Sequence, residues 1–501
     1  MERKTLKKIK RSHLLPALAI LAFYSLFMVV SACDSSTSPK TGTLTGRVEL
    51  VNDTGNPELD PADFSGVQVV MYKLAELNPS VVNVYNRYPS LGFPISQLTE
   101  FDHISAPPLY STITSPDGYF ILDGIPRGDY NVVAEKEGWG FSYVLDCEVS
   151  DNTGNSTLSI TLYPETIMAS VIMDDFDFQA DHIYRFNADC VTTQESSVTI
   201  ERGTKLLMDD GVCFDIYGYA SVIGNESDFV RITSSGPQVR LNRISIQPSA
   251  QVSGNVLQGI IVLRSTQGLQ ISRSDIEIRC MRGADSISAI SLSSASGVSI
   301  TNVIITGCDG VDTGSIQLYG SPNYSLVNSI LASNTQAIKS RVSANGTIEN
   351  VTFMDNSEYD VNNNDQCEGL IIKWCDFVGS NTALWNTYHS AANISFCTFE
   401  GTDGIVNDNG RYSMVQVNNC NFDCTEYAVK TRVYYYGNTE EVHIDASMNY
   451  WGTTIESEIQ QLVWDRFDEP TGINNYEALL GVIDYQPFLT RAVSNAGVQN
   501  N

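Results

Sequence analysis

Between Leu269 and Trp451 the chain repeats one short alternation of apolar and polar positions eight times. Each copy reads aliphatic, two variable residues, small or apolar, one variable residue, large apolar. The copies are Ile271–Ile276, Ile300–Ile305, Leu326–Leu331, Ile348–Phe353, Ile372–Phe377, Ile394–Phe399, Val417–Phe422 and Ile444–Asn449. Their first residues lie 29, 26, 22, 24, 22, 23 and 27 positions apart. A repeat at such spacing marks a stacked array of coils rather than one globular core. Within a copy the alternation has the period of a strand, not of a helix. Asn, Gly, Ser and Asp fill the gaps, as turns require. A repeat of this length with no helical segment predicts one coil of a parallel β-helix.

Two columns of residues carry this expectation further. Cys375, Cys397 and Cys420 share the small slot in three successive copies, and Ser274, Val303, Ser329, Val351 and Ser447 fill it elsewhere. Neighbouring coils stand about 4.7–4.9 Å apart with parallel side chains. A disulfide needs Cβ atoms about 3.5–4.5 Å apart and turned toward each other. An interior ladder of free thiols is therefore expected, although ten cysteines follow Cys33. Asn302, Asn328 and Asn350 sit two residues after the aliphatic lead of three consecutive copies, where stacked amides can bond from coil to coil. After Asn449-Tyr450-Trp451-Gly452 an acidic helix is expected, with Thr453 and Glu456 as a capping box and Ile455, Ile459, Leu462 and Val463 on one face. Laid across the last coil, it would hide an open edge and an exposed core.

Upstream, residues 44–163 alternate as short strands broken by turn signals. Asp117-Gly118 and Pro126-Arg127-Gly128-Asp129 are the clearest of these. With Gly124-Ile125-Pro126, Gly128, Tyr130 and the trailing Gly138-Trp139, this stretch resembles the carboxypeptidase regulatory-like (prealbumin-like) domain. The resemblance implies a small β-sandwich that acts as an accessory spacer without catalysis. An insertion from about Ala75 to Tyr110, rich in Asn, Pro and Tyr, reads as an exposed, idle loop in preference to a binding loop. The Ile200-Glu201-Arg202-Gly203-Thr204 segment and the ending from Asn449-Tyr450-Trp451-Gly452 to Asp484-Tyr485-Gln486-Pro487-Phe488 resemble secreted right-handed parallel β-helix proteins. The expected organisation is a leader at 1–32, a tether at 33–43, the sandwich at 44–163, an all-β right-handed parallel β-helix with its cap at 165–489, and a tail at 490–501.

The leader has a basic start, an apolar run from Leu14 to Val30 and the small-residue site Ser31-Ala32 before Cys33. This order resembles the bacterial lipobox and implies acylation of Cys33, a lipid anchor, and a place in the bacterial cell envelope at the outer membrane or cell surface. The formal charge of −28 becomes −33 once six basic residues and Glu2 leave with the leader. Such a surface repels nucleic acid and anionic polysaccharide backbones, and suits solubility outside the cell or attraction of divalent cations.

No catalytic motif stands out. There is no Gly-x-Ser-x-Gly, His-Glu-x-x-His or phosphate-loop pattern. Asp355, Glu358, Asp360 and Asp365 crowd one Asn-rich segment and are the candidates for Ca²⁺, against the simpler reading of a solvated turn. Lys339, Arg341, Lys373, Arg411, Lys430 and Arg432 are the basic residues of that region. Trp374, Trp385 and Tyr388 are candidates for stacking on sugar rings, against packing on the neighbouring coil. Three functions remain open. The first is a non-catalytic binding surface for glycan or a surface protein, which is preferred. The second is a polysaccharide lyase or glycosidase with a divergent carboxylate site, and the third a purely structural envelope protein.

Overall fold

The computed structural model describes residues 41–150, 157–237, 242–247, 254–265, 268–408, 414–432, 441–468 and 481–500. Cys33 and its lipobox, and Arg411, lie outside the described residues.

The strand Ser325–Ala332 shows how the repeat makes a coil. Leu326 faces the core, Val327 faces out, and Asn328 takes a left-handed corner with φ 50°. The corner consumes one position, so alternation restarts with Ser329 and Leu331 inside and Ile330 outside. This is why two variable residues, not one, separate the aliphatic position from the small one. Arg273, Asn302, Asn350, Trp374, Phe396 and Asn419 turn the same corner, with φ between 52° and 57°. Asn adopts this region readily, whereas Trp and Phe pay about 1–2 kcal/mol for it. A third strand, such as Gln336–Arg341, closes the coil with Ile338 and Ser340 inside.

Every position then pairs in parallel with its counterpart one coil on: Leu326 with Ile348, Leu331 with Phe353, Ile338 with Val361. The corner-bearing strands assemble into a 20-stranded sheet and the third strands into a 13-stranded sheet, which together form the expected parallel β-helix. Like side chains stack. Phe353, Phe377, Phe399, Phe422 and Trp451 form a column with ring centroids 4.9, 4.8, 4.8 and 5.0 Å apart.

The small slot has a chemical reason. Ser329 Oγ donates to the Val327 carbonyl at 2.8 Å, and the thiols of Cys375, Cys397 and Cys420 reach the carbonyls of Lys373, Ser395 and Asn418 at 3.3, 3.3 and 3.4 Å. A small donor thus serves a carbonyl beside each corner. All three cysteines are buried and free, and burial pushes the Cys375 and Cys397 thiols far above their usual range. Of the asparagines, Asn350 Nδ2 donates to Asn328 Oδ1 at 2.8 Å, whereas Asn302 Oδ1 accepts no hydrogen bond.

The end of the array departs from the expected register. Gln416 pairs with Asp445 and Asn421 bridges to Tyr450, so the last copy is Ala446–Trp451, not Ile444–Asn449. Asn449 rather than Ser447 fills the small slot, accepting from Cys420 N–H at 2.9 Å, and Trp451 closes the aromatic column. The capping helix is Glu456–Leu462, capped at Ile455, two residues later than a Thr453 cap would place it. Thr453 Oγ1 bonds Glu458 instead of forming the box with Glu456, and Ile455 is exposed while Ile459 is buried.

The N-terminal part is a sandwich of a three-stranded and a four-stranded sheet over Leu44, Val48, Val69, Met71, Phe120 and Val132. Its first strand, Thr41–Leu50, begins inside the stretch expected to be tether.

The insertion overturns the idle-loop expectation. It holds the helix Pro79–Arg87 and the short helix Gln97–Glu100, and its Val81, Leu91, Phe93 and Ile95 pack on Ile261, Leu263, Ile304 and Ile330 of the β-helix. Each such apolar side chain contributes about 1.5–3 kcal/mol on full burial. Gly92 brings the two backbones together: its N–H donates to the Asn328 carbonyl at 2.7 Å, and a Cβ there would lie 2.4 Å from Ile304 Cγ1. Three arginines of the β-helix are buried against the same segment. Arg282 pairs with Glu100 at 2.7 and 2.8 Å, Arg264 with Asp102 at 2.5 Å, and Arg231 donates to the carbonyls of Phe101 and Leu98 at 3.0 and 2.9 Å.

The tail is likewise not free. Val493 N–H donates to Asn421 Oδ1 at 2.8 Å, Gly497 N–H to the Phe396 carbonyl at 2.8 Å, and Gln499 N–H to Asn350 Oδ1 at 2.7 Å. Insertion and tail together cover one outward row, which runs by register from Arg231 through Arg282, Ile304, Ile330, Thr352, Asp376 and Thr398 to Asn421.

Candidate functional site

With that row covered, the outer face of the 13-stranded sheet brings aromatic and basic groups together among the described residues. Alternation fixes what it presents. Ile338, Val361, Leu384, Ile405 and Val429 point into the core. Their neighbours Lys339, Asn362, Trp385, Val406, Lys430 and Trp464 therefore form one outward row, in which Asn362 and Val406 are themselves buried and the other four half-buried. Tyr319, Arg341, Asn364, Asp408 and Arg432 belong to the second.

Trp385 stands at the centre. Its ring stacks on Tyr359 of the preceding coil with centroids 4.8 Å apart and an 18° interplanar angle, and its Nε1–H donates to Asp408 Oδ2 at 3.4 Å. Asp408 also accepts from Arg432 at 2.9 Å. On one side Lys430 Nζ lies 4.8 Å from the centroid of Tyr427 and 5.1 Å from that of Trp464. On the other, Arg341 pairs with Asp365 at 3.0 Å and Lys339 Nζ donates to the Asp312 carbonyl at 2.8 Å. Burial raises the Asp403 carboxyl above the usual range, against its hydrogen bond from Tyr427 N–H.

The structure separates the other sugar-stacking candidates from this face. Trp374 turns a corner of the 20-stranded sheet, with Phe396 at 6.4 Å and Lys373 Nζ 3.6 Å over its ring. Tyr388 is exposed beyond the end of the strand Thr382–Thr387, with φ 48°.

The four acidic candidates do not converge. Asp355 is exposed at a corner, Glu358 accepts from Gln336 Nε2 at 2.8 Å, and Asp365 holds Arg341. Asp360 is in the bore of the β-helix rather than in a solvated turn: it is fully buried and accepts from Asn356 Nδ2 at 2.7 Å and Ser380 Oγ at 2.6 Å. Among the described residues no group of three or more His, Cys, Asp or Glu stands close enough to hold a metal ion.

Burial raises Asp360 to about 7. Its folded pKa thus exceeds the unfolded value of about 3.9, so its contribution to stability is full below that value and is lost as pH rises toward 7. Asp360→Asn is expected to flatten stability between about pH 4 and 7 and to raise it at pH 8 by roughly 2–4 kcal/mol. Buried His103 acts with the opposite slope, its pKa being depressed to about 4, so acid costs stability through that group. Urea unfolding of the wild type and the Asn variant across this range separates the two, and an unchanged difference at pH 5 and pH 8 contradicts the assignment.

No protein-family model matches the chain, and no curated protein matches it.

Proposed function

We propose that this chain is a lipid-anchored protein of the bacterial envelope whose β-helix binds glycan on the outer face of the 13-stranded sheet without chemically altering it. The observation that carries this reading is the asymmetry of cover. Insertion and tail occupy one row of the β-helix, while Tyr359, Trp385, Tyr427, Trp464 and the charged groups between them are left at the surface of another. The sandwich, of the prealbumin-like kind by its turns, then serves as an adaptor held firmly by Arg231, Arg264 and Arg282. The lipid on Cys33, at the head of a short tether that ends where the strand Thr41–Leu50 begins, would keep the β-helix near the membrane surface.

Hydrolysis fits the face poorly. Asp403, with its raised carboxyl, and Asp408, held by Arg432, invite comparison with a general acid and its partner. They stand at opposite ends of the strand Asp403–Asp408, whose five steps span about 16 Å. A glycosidase sets its two carboxyls about 5–9.5 Å apart.

The expected result for Trp385→Ala is loss of most retention in polysaccharide affinity gels, with a melting temperature within a few degrees of wild type. Trp374→Ala is expected to leave retention unchanged. Release of reducing ends or unsaturated products by the wild type would overturn the non-catalytic reading, and retention insensitive to Trp385 would move the site elsewhere.

A further inference from the structure

Trp385 is poorly placed to stack on a neutral sugar. One face of its ring lies on Tyr359, and the pair is stacked from coil to coil, so it turns ring edges toward solvent. Aromatic edges carry the positive part of the ring quadrupole and attract anionic oxygens rather than C–H groups.

The cations of the region tell the same story. Between Arg282 and Arg466 the chain has six basic residues, and four of them, Lys339, Arg341, Lys430 and Arg432, fall on this one face. Each arginine is matched by an aspartate. The lysines make no direct ion pair among the described residues: their ammonium groups meet a carbonyl and two rings, and Asp403 acts on Lys430 only as a nearby charge. By register they are four coils apart, about 19 Å, with Trp385 midway between them in the same row.

Resting on the glycan-binding reading above, we infer that the ligand is an acidic polysaccharide lying along the β-helix axis, with anionic groups on Lys339 and Lys430 and the Tyr359–Trp385 edges between them. The charge of −28 on the whole chain sharpens this choice. The acidic remainder of the surface repels a polyanion, so such a chain is held where Lys339 and Lys430 offer cations without a paired carboxylate.

The test is a direct binding titration of the purified full-length protein in detergent micelles. The probes are alginate and dextran sulfate, each set against its uncharged counterpart, carboxyl-reduced alginate and dextran. Single-stranded DNA serves as a generic polyanion. At least one acidic chain is expected to bind, its uncharged counterpart to fail, and affinity to fall by about ten-fold or more as salt rises from about 0.05 to 0.3 M. The Lys339→Gln/Lys430→Gln double variant is expected to weaken binding by about ten-fold or more, and Lys373→Gln, on another face, to leave it unchanged. Equal binding of charged and uncharged chains overturns this inference and leaves the glycan reading standing. Binding of none of the four overturns both. Equal affinity for DNA, or indifference to the double variant, overturns the assignment to this face and these anions.

Discussion

Arg282→Ala is expected to destabilise the protein by about 3–5 kcal/mol and to free the insertion from the β-helix. The guanidinium is 3% exposed and makes its bonds on two sides. Nε and Nη2 hold the Glu100 carboxylate, Nη1 donates to the carbonyls of Gly283 and Ile304, and Nη2 also reaches Thr306 Oγ1 at 2.7 Å. Removing it strands a carboxylate and two carbonyls at a packed junction, and it is this uncompensated charge, more than the lost attraction, that sets the size of the effect. The Arg282→Met/Glu100→Leu double variant removes both charges and is expected to lose much less. Urea unfolding measures the stabilities, and limited proteolysis between Ala75 and Tyr110 reports release of the insertion. A loss below about 1 kcal/mol for the single variant, or cleavage no faster than wild type, contradicts the clamp.

Phe399→Ala is the second large effect, at about 3–5 kcal/mol. Phe399 is fully buried and stacks on both sides, on Phe377 and on Phe422, each at 4.8 Å. The cavity opens in the middle of a column whose coils are fixed by strand pairing, so neighbours cannot collapse to fill it. Because each coil leans chiefly on the next, the damage also weakens coupling along the stack. The denaturation profile is expected to broaden or divide, with the coils after Phe399 melting before those preceding Phe377. Phe399→Leu keeps most of the volume and is expected to cost clearly less. A single sharp transition with the alanine variant, displaced by under about 1 kcal/mol, contradicts the column.

The β-helix was legible in the sequence because its two determinants are local. Alternation gives the strands, and the double gap between Leu326 and Ser329 marks the corner at Asn328. The corner itself was half visible: Asn at 302, 328, 350 and 419 advertises a left-handed residue, but Trp374 and Phe396 hold it against their own preference because the stacked neighbours dictate it. The last register was misread because Ile444 looks like a better lead than Ala446, while Asn449, a polar residue with interior partners, does the work of a thiol.

The clamp was illegible for a different reason. Val81, Leu91, Phe93 and Ile95 find partners roughly two hundred residues away, and nothing in a loop rich in Asn and Pro announces them. Arg231, Arg264 and Arg282 look like solvated charges until Phe101, Asp102 and Glu100 are placed over them. Asp360 was grouped with the exposed acids beside it, although its side chain turns the other way at the entry to the strand's inner face. On the open face, Trp385 was found from its type alone, but Lys339 and Lys430 become neighbours of one row only when the coils are counted.

Hydroxyl-radical footprinting of the protein with its bound polysaccharide tests the central claim most directly. The account predicts that oxidation of Tyr359, Trp385 and Trp464 falls on binding, while that of Trp374 and Tyr119 does not change. Protection of Trp374 and Phe396 with Trp385 unprotected would put the ligand on another face and contradict it.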